Sequence, residues 1–161
     1  MTFRSVHHPG AVSRPWLALQ AQARPVALAL LAVMTVGLAA ALEGQPILWP
    51  FVTGAALAYG LAASVTQYRL TTLLAQIEIV GAQAAPQSVW QAASEPVSPA
   101  FEAVSSARLA HGELTAGIGD TVVSFERADW PEFDALVEAL REAARESEMQ
   151  LATGLVSSRL Q

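Results

Sequence analysis

The chain has 161 residues, of which 53% are hydrophobic and only 14% charged. Globular proteins average roughly 25% charged residues, so much of this chain is built to face lipid. Cysteine is absent and all nine basic residues are arginine, which excludes disulfides, thiolate chemistry, cysteine-held zinc or iron–sulfur centres, Schiff-base lysines and a Walker-type phosphate loop.

Residues 1–24 read as an N-terminal arm. They carry Arg4, Arg14 and Arg24 and no acid. Pro9 and Gly10 break any regular structure before residue 13. Ser13-Arg14-Pro15 then reads as a helix start, and residues 16–23 predict a short helix lying at a membrane interface. His7-His8 has no third ligand nearby in sequence, so no metal site is expected there.

Residues 25–66 predict a two-helix transmembrane hairpin. Pro25 to Leu42 holds no charged or strongly polar side chain. At ~1.5 Å per residue it reaches ~27 Å, close to the hydrocarbon thickness of a bilayer. Ile47 to Thr66 is a second such run, reaching ~30 Å on the same scale. Only Glu43-Gly44-Gln45-Pro46 separates them, which forces antiparallel neighbours. The competing reading is a cleaved signal peptide with Ala39-Ala40-Ala41 as its site. It requires an unusually long charged region and an apolar run beyond the usual ~7–15 residues. Arg14, Arg24 and Arg69 flank the open end and the connecting loop has no basic residue. The positive-inside rule therefore predicts both termini in the cytoplasm of a bacterial inner membrane. Trp16, Trp49 and Tyr68 are the expected membrane-interface anchors.

Gly54, Ala58 and Ala62 recur every fourth residue and predict a small-residue stripe on the second helix. Gly37 and Ala41 give the first helix a matching strip, where backbones approach closely. Two occupants fit these strips: the other arm of the hairpin, or the helices of another membrane protein.

Residues 67–146 predict a small acidic α+β domain. From Tyr68 onward six arginines face thirteen acids, a local net of −7. Such a field disfavours both nucleic acid and anionic lipid. Ala75, Ile77 and Ile79 alternate with Gln76 and Glu78, so Tyr68 to Val80 predicts a strand, with helical continuation as its rival. Residues 81–100 are rich in Ala, Gln, Ser and Pro and predict a loop, with a short helix around Val89-Trp90-Gln91 and Trp90 as a core plug. Strands are predicted over Ala103–Leu109, Glu113–Ile118 and Thr121–Glu126. His111-Gly112 and Gly119-Asp120 make the turns of this meander. Asp129 and Glu132 predict a capping box, with Pro131 in the first turn. Phe133, Leu136, Val137 and Leu140 then share one helix face. Glu138, Arg141, Glu142 and Arg145 decorate the other face, where Glu138–Glu142 repels while Glu138–Arg141 and Glu142–Arg145 are expected to attract. Residues 147–161 read as a tail that continues this helix or frays from it.

A membrane hairpin, a meander and a capped amphipathic helix together resemble the small bacterial membrane proteins with a pleckstrin-homology-like domain, the YcxB-like group among them. Tyr68-Arg69-Leu70-Thr71 after the hairpin and the stretch from Thr121 to Phe133 carry the resemblance, which covers roughly residues 25–145. It implies a fold and no site residues. The family pattern has more strands where this chain has its Pro/Ser-rich segment.

No nucleophile elbow, zinc-helix motif or dinucleotide fingerprint occurs in the sequence. His111 near Glu113 and Asp120 is the one acid–base grouping, and its place in a turn predicts solvent exposure. No catalytic residue, cofactor or metal is expected. The sequence thus predicts a non-enzymatic accessory or scaffold subunit of a larger bacterial membrane complex of photosynthetic or respiratory type. Its expected partners are other integral membrane subunits and the lipid bilayer. The alternative is a membrane-anchored regulatory or sensory module whose domain binds a protein or ligand.

Overall fold

A computed structural model describes residues 1–44, 46–93 and 98–158. Gln45 of the expected connecting loop, Pro96 of the expected Pro-rich loop and residues 159–161 of the expected tail lie outside them. The chain divides into two units: Gly10–Thr72, and Met1–Pro9 together with Leu73–Gln161.

The first unit is a pair of long apolar helices. Helix α1 spans Arg14–Leu42 and helix α2 spans Leu48–Thr72. Pro15 stands in the first turn of α1, where its missing N–H costs nothing. The separate interfacial helix expected over 16–23 does not form, because α1 runs unbroken through Pro25. Proline removes one internal hydrogen bond, while the Ala- and Leu-rich turns on both sides favour helix. Helix α2 likewise runs past Thr66, so Tyr68–Thr72 is helical and not the start of a strand. Its threonines adapt to the helix by bonding back. Thr66 donates to the carbonyl of Ala62, Thr71 to Gln67 and Thr72 to Tyr68, at 2.8–3.0 Å.

The second unit is a six-stranded antiparallel sheet with strands in chain order. The strands are β1 (Thr2–Arg4), β2 (Leu74–Val80), β3 (Gln83–Ser88), β4 (Glu102–Ala110), β5 (Glu113–Ile118) and β6 (Thr121–Glu126). Strand β1 corrects the expectation of an irregular arm. Phe3 pairs with Ile77 and Arg4 with Gln76, and the Ser5 amide continues the ladder to the Ala75 carbonyl at 2.8 Å. Three residues are too few to give a readable period, and the pairing partner lies more than 70 positions away. The sheet is therefore built from chain on both sides of the hairpin.

Strand β3 corrects the expectation of a loop. Its sequence, Gln-Ala-Ala-Pro-Gln-Ser, has poor strand propensity. It is held by pairing with β2 and by burial of Ala84 and Ala85. Pro86 is tolerated because β4 pairs only with Gln83 and Ala84, leaving that side of Pro86 as an edge. The short helix α3, Val89–Ala92, follows with a full Ser88/Gln91 capping box. The β4–β5 turn places both His111 and Gly112 at positive φ, 52° and 83°, as a two-residue I′ loop requires. At the next turn Gly119 has φ 56°, and a Cβ there would also strike the Glu102 carboxylate.

Helix α4, Phe133–Ser158, packs chiefly on β4. Ile77, Val104, Leu114, Ile118, Phe125, Leu136 and Leu140 form the solvent-free centre. The tryptophan of this core is Trp130, edge-on to Phe125 at 5.3 Å. Trp90, expected as the plug, is only partly buried, since it sits on α3 outside the core. Asp129 is not the cap of α4. It ends a 3-10 turn, Arg127–Asp129, and the helix starts four residues later, with the Glu132 carbonyl accepting the first amide, from Leu136.

Candidate functional site

The strips of small residues meet side chains rather than backbones. A Cβ on Gly37 would lie 3.3 Å from the Phe51 ring and 3.6 Å from Ile47, and one on Gly54 would lie 3.5 Å from Val33. Each glycine is thus a notch that receives a large side chain of the other helix. This differs from the expected backbone-to-backbone seam. The sequence contains both the notches and the knobs, but spacing alone does not say which knob enters which notch. Ala58 is partly buried and Ala62 buried, and Thr66 and Leu70 carry the same four-residue stripe onward.

Two apolar grooves flank Phe51. One, of about 280 Å³, is lined by Val36, Ala40 and Pro50 beside Gly37 and Phe51. The other, of about 490 Å³, is lined by Met34, Leu38 and Ala41 beside the same pair. Thr35 is the one polar side chain lining either groove, and its hydroxyl is spent on the Ala32 carbonyl at 2.8 Å. The grooves therefore suit apolar, close-packed surfaces and no polar ligand.

The three aromatic residues singled out as anchors all point outward. Trp16 lies in the first turn of α1, Trp49 in the first turn of α2 and Tyr68 in its last turns. Sequence reading passed over a fourth, Tyr59. It stands midway between Trp49 and Tyr68, ~15 Å from Trp49 along the helix, and is 54% exposed. The serine and threonine hydroxyls of α1 and α2 bond back to their own helix. The phenol of Tyr59 reaches away from its backbone and has no hydrogen-bond partner among the described residues. Its signal was its mid-span position, since tyrosine ordinarily sits at the ends of such helices.

In the second unit His111 is exposed in its turn, as its position predicts, and forms no acid–base grouping with Glu113 and Asp120. His111 and Glu113 sit at one end of β5 and Asp120 at the other, ~20 Å apart on strand geometry. His7 and His8 go separate ways. His7 Nε2 lies 3.2 Å from Asp129 Oδ1, and the Val6 amide donates to the Asp129 carbonyl at 2.8 Å. His8 Nε2 meets Gln76 Oε1 at 3.1 Å, and Gln76 donates to Gln87 at 2.7 Å. These contacts tie the N-terminal residues to β2, β3 and the 3-10 turn. Among the described residues no group of three or more His, Asp or Glu side chains is placed to hold a metal.

One polar groove stands apart. Arg108 of β4 and Arg141 and Arg145 of α4 line a cleft of about 340 Å³ together with Ser106, Ala107, Ala144 and Glu148. The expected pairs Glu138–Arg141 and Glu142–Arg145 do not form. Ion pairs instead join His7 to Asp129 and Arg127 to Asp134. Arg127 is also held over the Phe133 ring at 5.1 Å, which uses that arginine locally.

The chain matches no protein-family model, no curated protein and no solved structure, so its own residues carry the functional argument.

Proposed function

We propose that the protein is a non-enzymatic accessory subunit of a bacterial membrane complex, anchored by its hairpin, with its small domain on the cytoplasmic side. The observation that carries this reading is Tyr59. It is an outward-facing phenol at mid-length of an apolar helix, without a hydrogen-bond partner among the described residues. In hydrocarbon a polar hydroxyl without an acceptor is costly. A neighbouring helix that supplies an acceptor removes that cost, and the grooves beside Phe51 offer it notches for close packing. Anchoring itself is supported by surface chemistry. No residue of α1 is buried, and Leu28, Leu31, Met34, Val36 and Leu38 are all exposed. Such a patch far exceeds what soluble monomers present to water.

Orientation is supported by the arginines at the open end and by the sheet. Strand β1 precedes the hairpin and pairs with β2, which follows it, so a spanning hairpin returns both chain ends to one side. Kinship with the pleckstrin-homology-like membrane proteins belongs to the same proposal, on architecture alone.

The test combines labelling and purification. A cysteine replacing Glu43 should react with an impermeant maleimide in intact cells, and one replacing Glu126 should not. Solubilised in mild detergent, the protein should co-purify with other integral membrane subunits. Tyr59→Phe and Ala40→Phe should stay folded and lose them. Recovery of this chain alone from native membranes would sink the accessory reading.

A further inference from the structure

We infer that β6 is a pairing edge at which the small domain joins a second copy of itself, strand to strand and antiparallel. The edge lies in the second unit and does not rest on the membrane reading.

Strand β6 closes one side of the sheet and, among the described residues, pairs only with β5. The two-residue turn Gly119-Asp120 makes Ile118 and Thr121 a hydrogen-bonded pair, and such pairs alternate along an antiparallel ladder. Thr121, Val123 and Phe125 therefore bond to β5, while the backbone N–H and C=O groups of Val122, Ser124 and Glu126 point away from it. Among the described residues no backbone group beyond the strand bonds to Val122 or Ser124. Natural sheets protect such an edge by making it short, by bulging it, or by placing proline or lysine on it. The opposite edge, β1, is three residues long. Strand β6 has six, its register with β5 is unbroken, and it contains no proline and no basic residue. Val122 on this edge is 74% exposed.

The strand is complementary to its own copy in one register. A two-fold axis at Ser124 sets Ser124 opposite Ser124 of the second copy, and Val122 opposite its Glu126. The outward backbone groups then meet donors and acceptors, and the two serine hydroxyls hydrogen-bond across the axis. No like charges face one another. Val123, half-buried at the edge and packed against the core, falls opposite Phe125 of the second copy, so the apolar layer continues across the join. Other registers fail. An axis midway between residues sets outward-bonding residues against inward-bonding ones. An axis at Val123 sets Glu126 against Asp120 at both ends, and like charges directly opposite are destabilising. An axis at Phe125 sets Val122 against Ala128 in the 3-10 turn, where the strand has ended.

The chain has no cysteine, so introduced cysteines report the register directly. The full chain is purified in nonionic micelles and oxidised mildly. Ser124→Cys should give a disulfide-linked dimer, because hydrogen-bonded partners stand about 5.5 Å apart at Cα, within disulfide reach. Val122→Cys or Glu126→Cys alone should not, since each lies about 13 Å along the strands from its own copy. Mixed together, these two variants should cross-link. Sedimentation of the unmodified chain should show a reversible dimer, and the Ser124 amide should exchange with deuterium more slowly as concentration rises. Ser124→Pro removes the two central N–H donors, and Ser124→Lys sets like charges face to face. Each should raise the dissociation constant on the order of tenfold. Ser124 is exposed, circular dichroism checks that both variants are folded, and Ser124→Lys carries the test if proline disturbs the strand. A monomer at every concentration, or a dimer indifferent to Ser124→Lys, would overturn the pairing. Equal cross-linking at Ser124 and Val122 would also overturn it and assign the association to the hairpin. So would a Ser124→Cys chain that cross-links in native membranes only to a different protein, which would give the edge to that protein's strand.

Discussion

The hairpin and the small domain use the same apolar side chains in opposite ways. In the domain, Phe125, Leu114, Ile77 and Leu136 are sealed from solvent and polar residues face out. In the hairpin, large leucines and valines face out, and glycine and alanine occupy much of the contact side. Water drives the first arrangement, because burying apolar surface is favourable. It cannot drive the second if lipid is the solvent, since chains of hydrocarbon solvate leucine as well as a protein neighbour does. What then holds two helices together is fit: Phe51 in the notch of Gly37 and Val33 in the notch of Gly54. The same residue type thus carries different information in the two regions, and volume changes should have different consequences in each.

The largest effect should come from the domain core. Phe125→Ala empties a fully buried site and removes the ring beneath Trp130. A loss of about 3–5 kcal/mol is expected, read from urea denaturation of the full chain in nonionic micelles. Leu31→Ala removes an outward leucine of α1 and should leave that midpoint unchanged. Equal losses at the two sites would erase the distinction between the regions. Phe3→Ala comes next. It tests whether three residues ahead of the hairpin belong to the domain core, where Phe3 is 5% exposed. An edge strand relaxes more easily than the centre, so a loss of roughly 2–4 kcal/mol is expected, within the range for large-to-small core changes. A wild-type midpoint would mean that β1 contributes nothing to the domain.

Much of this architecture was legible in the sequence, for reasons that differ along the chain. Long runs of one period read well. The two apolar helices, the alternation of Ala75, Ile77 and Ile79, the turns at His111-Gly112 and Gly119-Asp120, and the face of Phe133, Leu136, Val137 and Leu140 all follow from local rules. What did not read was set by distant partners. Strand β1 exists because Ile77 and Gln76 are there to pair with it. Strand β3 exists despite Pro86 because β2 supplies a neighbour and β4 leaves an edge. Asp129 carried a plausible capping signature, but the chain spends it on Val6 and His7. Among site residues, the small positions were visible as a stripe. Their knobs and the exposed phenol of Tyr59 needed the third dimension.

The seam itself should respond to added volume more than to lost volume. Gly54→Ala adds a methyl at ordinary contact distance from Val33, 3.5 Å, and should be nearly neutral. Gly37→Leu drives a branched side chain into the Phe51 ring and should cost about 1–3 kcal/mol by overpacking. Hairpin stability in this case is read from helix-pair dissociation, for example by energy transfer between labels on α1 and α2 during titration with a denaturing detergent. Phe51→Ala in the Gly37→Leu background should recover part of the loss, because it reopens the space. Unchanged association for Gly37→Leu would show that the notch is not a contact, and would leave the two helices without a stated reason to pair.

The smallest expected effect distinguishes two roles for Asp129. As a helix cap its removal would cost about 0.5–2 kcal/mol. As the partner of His7 it should cost less. The two side chains are 37% and 34% exposed, so water screens the pair, and exposed ion pairs contribute only about 0.2–1 kcal/mol. A double-mutant cycle isolates this contribution. His7→Ala and Asp129→Ala should each change the denaturation midpoint slightly, and the double variant should lose less than their sum. The backbone bond from Val6 to the Asp129 carbonyl survives both changes, so β1 should stay paired throughout. A strictly additive cycle with a large loss for Asp129→Ala alone would return Asp129 to the helix terminus. It would also leave the N-terminal residues attached by their backbone and by Phe3, with no contribution from the histidine.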